Sequence, residues 1–198
     1  YGIKLNKNLG QNYLIDRNKR DQIIQFGNLT KDDVVLEIGP GIGTLTIELA
    51  KRVKKVIAIE QDSNICQILE NRLKKENIDN VELINDDALN LEFPKFDKII
   101  SNLPYQISSP ITFKFLNYDF QLAILMYQKE FASRMNGKVG SKDYSRLSAM
   151  LYFKCDVDLL TGVSAESFIP KPKVDSTVVR LTPKLPELNG QLKHLNIN

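Results

Sequence analysis

A glycine-rich turn follows the first strongly apolar run of the sequence. The segment Glu37-Ile38-Gly39-Pro40-Gly41-Ile42-Gly43 comes directly after Val34–Leu36. Glycines let a backbone approach a ligand closely, and the helix predicted after them offers free N–H groups. The dinucleotide fingerprint G-x-G-x-x-G would need glycine at position 44, where Thr44 stands. The spacing therefore favours a smaller adenosine-bearing ligand that has no pyrophosphate.

Two carboxylates follow the next two predicted strands. Glu60 lies 21 residues after Gly39, where it can accept hydrogen bonds from both hydroxyls of a ribose. Asp62 is better placed to cap the next helix, and Asp87 can accept a hydrogen bond from the amino group of adenine. Because parallel strands bind ligands at their carboxyl ends, these residues and Gly41 predict an S-adenosylmethionine site.

The segment Ser101-Asn102-Leu103-Pro104-Tyr105, after the fourth predicted strand, resembles the motif of amino-methyltransferases. The exocyclic amine of adenine is a poor nucleophile because its lone pair is delocalised into the ring. The Asn102 side-chain oxygen and the Leu103 carbonyl, turned outward by Pro104, can accept both N–H groups and free that lone pair. Tyr105 can stack on the base, which contributes roughly 1–3 kcal/mol. The segment predicts methyl transfer to a purine amine, and the base must be flipped out or unpaired.

The elements that position these residues follow from hydrophobic periodicity. Short, almost continuously apolar runs alternate with amphipathic stretches, which predicts a mostly parallel sheet covered on both faces. Ser109-Pro110 predicts the start of a helix, with Ser109 as its N-cap. The predicted fold is α/β and Rossmann-like, a seven-stranded sheet that ends in an antiparallel hairpin. Its strands lie near 34–38, 56–59, 81–84, 98–101, 122–126, 156–163 and 176–181, with late helices over 129–136 and 143–153.

Length and composition indicate one globular domain. The chain has 198 residues, 42% hydrophobic and 26% charged, so we expect a catalytic domain over 1–183 and a tail or linker over 184–198. No apolar run approaches the ~18 residues of a membrane span. Cys66 and Cys155 lie far apart without a nearby histidine. We therefore expect no metal site, no disulfide scaffold and a cytoplasmic location.

Positive charge is concentrated in three windows of the sequence. Residues 1–20 carry a net charge of +4, and residues 129–146 and 167–184 carry +3 each, although the whole chain carries only +3. If folding brings the windows together, they form a basic face that binds phosphate. The alternative is a set of scattered, solvated lysines.

Motifs along nearly the whole chain resemble those of the small-subunit ribosomal RNA adenine N6-dimethyltransferases, relatives of the erythromycin-resistance rRNA methylases. The resemblance implies the fold of a class I S-adenosylmethionine-dependent methyltransferase. It also implies a monomer that dimethylates two adjacent adenosines near the 3′ end of small-subunit rRNA during ribosome assembly. The motifs are LGQNYL at 9–14, the turn at 37–43, NLPYQISSP at 102–110, QKEF at 128–131, YSRLS at 144–148 and FIPKPKVDS at 168–176.

The same resemblance assigns roles to individual residues. It implies that Asn12, Leu14 and Asn102 contact the cofactor, together with the glycine turn and the two carboxylates described above. Phe168 would cover the face of the base opposite Tyr105. Lys171, Lys173 and Arg146 would contact RNA. The family also carries a C-terminal helical domain, and nothing in 184–198 resembles it.

Three alternatives remain open from the sequence. A resistance-type methylase of large-subunit rRNA would share Asn102, Tyr105 and Phe168. A non-catalytic assembly factor that binds rRNA could keep the same fold, although the intact motifs argue against it. A nicotinamide oxidoreductase is weaker still, because Thr44 breaks the fingerprint and no acid for hydride transfer is evident.

Overall fold

A computed structural model of the chain describes residues 12–184. The tail or linker predicted over 184–198 lies outside this range apart from Lys184. The backbone N–H of Lys184 donates to the Lys154 carbonyl oxygen at 2.9 Å. The helices are α1 (Arg17–Phe26), α2 (Thr46–Ala50), α3 (Ser63–Lys75), α4 (Ser108–Phe115), α5 (Lys129–Met135) and α6 (Arg146–Lys154). The strands are β1 (Tyr13–Leu14), β2 (Val34–Ile38), β3 (Lys55–Glu60), β4 (Val81–Asn85), β5 (Lys98–Asn102), β6 (Leu122–Gln128), β7 (Cys155–Val163), β8 (Phe168–Ile169) and β9 (Ser176–Pro183).

Seven of these strands form one sheet in the order β4-β3-β2-β5-β6-β9-β7. The pairs from β4 to β6 are parallel, whereas β9 pairs antiparallel with both β6 and β7. The strand order reverses between the neighbouring strands β2 and β5, because β3 and β4 lie on one side of β2 and the later strands lie on the other. Open α/β sheets bind ligands at such a switch point. The predicted parallel sheet with a final antiparallel hairpin is confirmed.

The central strands of the sheet, β2, β3, β5 and β6, are buried on both faces, whereas the edge strands β4 and β7 are partly exposed. Alternate side chains of the central strands belong to different apolar clusters, as for Leu36 and Val35 on β2 and for Ile99 and Ile100 on β5. This arrangement explains why the parallel strands appear in the sequence as continuous apolar runs. None of the helices within residues 12–184 is long and apolar enough to cross a membrane.

A second, two-stranded sheet joins distant parts of the chain. Strand β1 pairs antiparallel with β8, so that Tyr13 lies opposite Ile169 and Leu14 lies opposite Phe168. The pairing fastens the N-terminal arm to the loop of prolines and lysines. The sequence pattern did not predict it, because two-residue strands show no periodicity.

Two helices begin at different residues from those predicted. A 3₁₀ turn at Tyr105–Ile107 continues directly into α4, so Ser109 lies inside the helix and the prediction that it is the N-cap is wrong. Helix α6 begins at Arg146 rather than at residue 143, because Ser145 caps it in a capping box with Ser148.

Candidate active site

A cavity opens at the carboxyl ends of the four parallel strands β2 to β5. The glycine turn forms its floor, and the N-terminal arm and the segment after β5 form its walls. Among the predicted cofactor-binding and catalytic residues, the following line it: Asn12, Leu14, Gly39, Gly41, Glu60, Asp87, Asn102, Leu103, Pro104 and Tyr105. The structure thus brings together all of the predicted residues except Phe168 and the three basic ones.

Two glycines of the turn are required by both conformation and space. Gly39 and Gly41 have φ values of +67° and +56°, which residues other than glycine rarely adopt. A Cβ atom at position 39 would lie 2.9 Å from Cγ of Pro104, and one at position 41 would lie 2.6 Å from Cε1 of Tyr13. The turn therefore packs directly against both walls of the cavity.

The Glu60 carboxylate is fixed by backbone donors. Its Oε2 accepts from the Gly41 N–H at 3.2 Å, and its Oε1 accepts from the Asp62 N–H at 3.0 Å. Burial raises the pKa of Glu60 above its ordinary value. The Gln61 backbone also interacts with this carboxylate. Because a carboxylate offers about four acceptor sites, acceptor capacity remains for a ribose hydroxyl. The predicted helix cap is confirmed, since Asp62 accepts from the Asn64 N–H at 2.9 Å.

The Asp87 carboxylate is held by the loop that follows β4. Its Oδ1 accepts from the Leu89 N–H at 2.9 Å, and its Oδ2 accepts from Asn90 Nδ2 at 3.0 Å. Ala88 is the next residue and also lines the cavity, so its backbone N–H is a candidate donor beside the carboxylate acceptor. An acceptor beside a donor matches the amino group and N1 of adenine. The sequence analysis did not identify Ala88, because almost every residue type has a backbone N–H and the sequence does not show which one faces a ligand.

Asn102 lies at the carboxyl end of β5, half-buried at the cavity wall. Its Nδ2 donates to the Asn12 carbonyl oxygen at 3.1 Å, which ties the N-terminal arm to the site. Because the amide nitrogen faces the arm, the amide oxygen is left for an incoming donor. The Leu103 side chain is buried in the core, so this residue can offer only its backbone to the cavity.

Tyr105 is anchored through its hydroxyl group. Its Oη lies 2.6 Å from Oγ of Ser176, the buried first residue of β9. Burial raises the pKa of the Tyr105 phenol, so it stays protonated at neutral pH. The sequence placed Ser176 in a motif without a role, and the contact crosses 71 positions of the chain.

Phe168 does not face the cavity. Its side chain is 2% exposed and packs in the cluster that contains Leu14, Met126 and Val178. The pairing of β8 with β1 turns Phe168 inward and leaves its neighbour Ile169 outside. The structure therefore does not bring Phe168 into the cavity, and its role in covering a target base stays a prediction.

The three predicted RNA-binding residues lie outside the cavity. Lys171 and Lys173 line a shallow groove with Lys129, and Lys171 forms an exposed ion pair with Glu166. Arg146 begins α6, is exposed, and places its guanidinium 6.0 Å from the centre of the Phe113 ring. It does not line the same groove.

An acidic residue under the turn is buried, and one of its carboxyl oxygens lacks a hydrogen bond among the described residues. Glu37 is 2% exposed and lines the cavity, and its Oε2 accepts no hydrogen bond within residues 12–184, as is also true of the Thr46 hydroxyl beside it. Burial is the main cause that raises the pKa of Glu37 to about 8; the nearby Thr46 hydroxyl counteracts part of this effect, and the charge of Glu60 adds to it. A buried acid with an unsatisfied oxygen in a cavity fits a ligand that carries positive charge, as S-adenosylmethionine does on its ammonium and sulfonium groups.

The sequence predicts that the protein has no metal site, and the structure can be searched for clusters of possible metal ligands. Across the part of the chain that the structure describes, no group of three or more His, Cys, Asp or Glu side chains could hold a metal ion. Both cysteines are buried thiols.

Residues 2–196 match a family described as ribosomal RNA adenine dimethylase. The chain belongs to this family. It is a methyltransferase, and its cofactor is S-adenosylmethionine. The resemblance found in the sequence motifs is thereby confirmed.

The relatives with curated names agree. The chain is 54% identical over 93% of its length to the "Probable ribosomal RNA small subunit methyltransferase A" of Methanosphaera stadtmanae, and covers 68% of that protein. It is 53% identical over 92% of its length to the protein of the same name from Methanothermobacter thermautotrophicus, and covers 66% of it. The chain thus spans about two thirds of these relatives.

Two solved structures share the fold. A dimethyladenosine transferase from Plasmodium falciparum superimposes with a TM-score of 0.82 at 43% identity, over 86% of this chain and 63% of that one. The 23S rRNA methyltransferase ErmE superimposes with a TM-score of 0.79 at 30% identity, over 94% of this chain and 81% of that one. The predicted class I methyltransferase fold is confirmed.

Proposed function

We propose that this protein dimethylates the N6 amine of two adjacent adenosines near the 3′ end of small-subunit rRNA during ribosome assembly. The observation that carries the proposal is the contact between the cofactor turn and the amine-binding segment, where Gly39 packs against Pro104. The curated relatives named as small-subunit enzymes reach 54% identity, whereas ErmE reaches 30%. This difference supports the small subunit over the large one.

The cofactor is held by residues from four strand ends. Glu60 accepts from a ribose hydroxyl, and Asp87 with the Ala88 amide recognises adenine. Glu37 supplies negative charge for the ammonium group. The wall formed by Asn12 and Leu14 closes the methionine side together with Gly39 and Gly41.

Activation of the target amine falls to Asn102 and Leu103. S-adenosylmethionine supplies the electrophilic methyl group. The Asn102 amide oxygen and the Leu103 carbonyl accept the two N–H groups of adenine, which draws the nitrogen toward tetrahedral geometry and localises its lone pair. No strong general base is needed, because the amine loses its proton readily once it is methylated.

The target base rests on Tyr105. The hydrogen bond to Ser176 holds the ring at the mouth of the cavity, and Pro104 stiffens the segment before it. With Phe168 in the core, Tyr105 is the one aromatic ring that residues 12–184 contribute to the cavity besides Tyr13. Stacking on Tyr105 therefore contributes to the affinity for the base in this conformation, by roughly 1–3 kcal/mol.

RNA outside the target base is bound by basic side chains. We assign phosphate contacts to Lys171 and Lys173 in the groove, and to Arg146 at the start of α6. The enzyme acts as a monomer in the cytoplasm, where small subunits are assembled.

The test is methylation of purified ribosomal subunits. The protein, with labelled S-adenosylmethionine, is incubated separately with unmethylated small and large subunits, and the labelled nucleotides are mapped. We expect dimethyladenosine at two adjacent positions of small-subunit rRNA. Label confined to large-subunit rRNA would instead support the resistance-type alternative.

A further inference from the structure

The ammonium group of Lys114 lies inside a cluster of carbonyl oxygens. Its Nζ donates to the carbonyl oxygen of Ala88 at 2.9 Å, to that of Leu89 at 3.2 Å, and to that of Leu91. The Phe93 ring covers the same ammonium, with Nζ 4.4 Å from the ring centre. All of these groups belong to the loop that joins β4 to β5.

This loop borders the cavity, and the helix that carries Lys114 directly follows the segment after β5 that also lines it. The loop contributes Asp87 and Ala88 to the cavity lining. Lys114 lies on α4, which follows the segment that begins at Asn102. One side chain therefore connects the adenine side of the cavity to the side that binds the target amine.

A short relay links the ammonium to the Asp87 carboxylate. Lys114 binds the carbonyl oxygen of Ala88, and the same peptide unit carries the Leu89 N–H. Because a peptide unit is planar, fixing the carbonyl also fixes the direction of that N–H. The Leu89 N–H donates to Oδ1 of Asp87 at 2.9 Å, so the position of Lys114 sets the orientation of the carboxylate.

We propose that Lys114 is a positioning residue that holds this loop in the shape that recognises adenine, and thereby sets the selectivity of the cofactor site for adenine over other purines. The inference rests on the proposed assignment of adenine to Asp87 and Ala88. Without the ammonium, three partly buried carbonyl groups lose their shared donor. The peptide between residues 88 and 89 is then held less firmly, so the Leu89 N–H shifts relative to Asp87 Oδ1 and the carboxylate keeps only Asn90 as a firmly placed side-chain donor.

The experiment compares Lys114→Met with a matched control, Lys154→Met. Lys154 also donates through Nζ to a carbonyl oxygen at one end of α4, that of Leu116 at 2.8 Å, but it does not contact the loop. Calorimetry measures the affinity of each variant for S-adenosylhomocysteine and for S-inosylhomocysteine, in which the amino group is replaced by an oxygen. The quantity of interest is the ratio of the two affinities.

We expect the wild-type protein and Lys154→Met to prefer the adenine compound by the same factor. In Lys114→Met this preference falls by about tenfold, the effect of one misplaced hydrogen-bonding group. A role in stability alone would lower the melting temperature and leave the ratio unchanged, and that result would overturn the inference. Should Lys114→Met fail to fold, Lys114→Arg replaces it, because arginine keeps the positive charge in a wider group. We expect Lys114→Arg to show a smaller loss in the ratio of the two affinities. An unchanged ratio in that variant would also overturn the inference.

Asp87→Ala distinguishes an error in the role of Lys114 from an error in the proposed placement of adenine at Asp87. If Asp87→Ala loses the preference and the Lys114 variants keep it, only the role of Lys114 is wrong. If Asp87→Ala also keeps the preference, the proposed placement of adenine is wrong.

Discussion

Gly39 and Pro104 are in contact across the cavity, although 65 positions separate them in the sequence. Gly39 belongs to the turn that approaches the cofactor, and Pro104 belongs to the segment that binds the target amine. Because a Cβ atom at position 39 would come within 2.9 Å of the proline ring, this contact sets the distance between the two halves of the site.

Gly39→Ala tests this contact against a matched control. Gly140 also has a positive φ, +83°, but a Cβ atom there would meet nothing within 4 Å. Both alanine variants should therefore lose roughly 1–2 kcal/mol of stability from backbone strain. Only Gly39→Ala should also displace Pro104, and its rate of methyl transfer should fall by more than about tenfold beyond that of Gly140→Ala. Equal rates for the two variants would show that the contact is not needed for catalysis.

Cofactor binding should depend on pH through Glu37. Burial raises the pKa of this carboxyl to about 8, so it is protonated at neutral pH in the free protein. A cationic ligand favours the carboxylate, so binding should release a proton below pH 8 and strengthen as the pH rises toward that value. Calorimetry in buffers of different ionisation heat measures the released proton. In Glu37→Gln the proton release should disappear; if it persists, another group is responsible.

The Glu37 carboxyl should also make the stability of the cofactor-free protein depend on pH, with the opposite sign to cofactor binding. Between its ordinary pKa and about 8, the folded state binds more protons at Glu37 than the unfolded state does. The free energy of unfolding of the cofactor-free protein should therefore fall as the pH rises through this range. Denaturant titrations should show a shallower dependence in Glu37→Gln. An identical dependence in the two proteins would argue against the raised pKa.

The hydrogen bond between Tyr105 and Ser176 should matter for RNA and not for the cofactor. Ser176→Ala and Tyr105→Phe each remove it, and each should raise KM for RNA by about fivefold, since one hydrogen bond contributes about 1 kcal/mol. The double variant should be no worse than either single variant, because both remove one interaction. Additive losses in this cycle would mean that the two residues act independently.

The groove at Lys171 and Lys173 should contribute to RNA affinity through its charge. Replacing both lysines by glutamate should weaken binding and reduce the slope of log affinity against log salt by about 1 for each lost contact. Lys74 and Lys75, at the end of α3 beside the opposite edge of the sheet, provide the control pair. Filter binding at several salt concentrations measures the slopes. Equal changes for the two pairs would place the RNA elsewhere.

Local patterns were sufficient to predict the sheet and most of the cavity. Apolar runs mark β2 to β6, and the glycine turn, Glu60 and Asp87 each follow directly from a strand end, so their place needs no distant contact. The burial of Phe168 depends on the pairing of β8 with β1, more than 150 positions away in the chain. The roles of Ser176 and Lys114 likewise depend on partners that only the folded chain brings near.

Activation of the target amine depends most directly on the amide oxygen of Asn102. The decisive measurement is the single-turnover rate of methyl transfer to unmethylated small-subunit rRNA by Asn102→Ala, at saturating S-adenosylmethionine and with the melting temperature as a check on folding. Loss of an acceptor that acts in the transition state predicts a rate about 10²–10³ times lower in a folded protein. A folded Asn102→Ala protein that methylates at close to the wild-type rate would contradict the account.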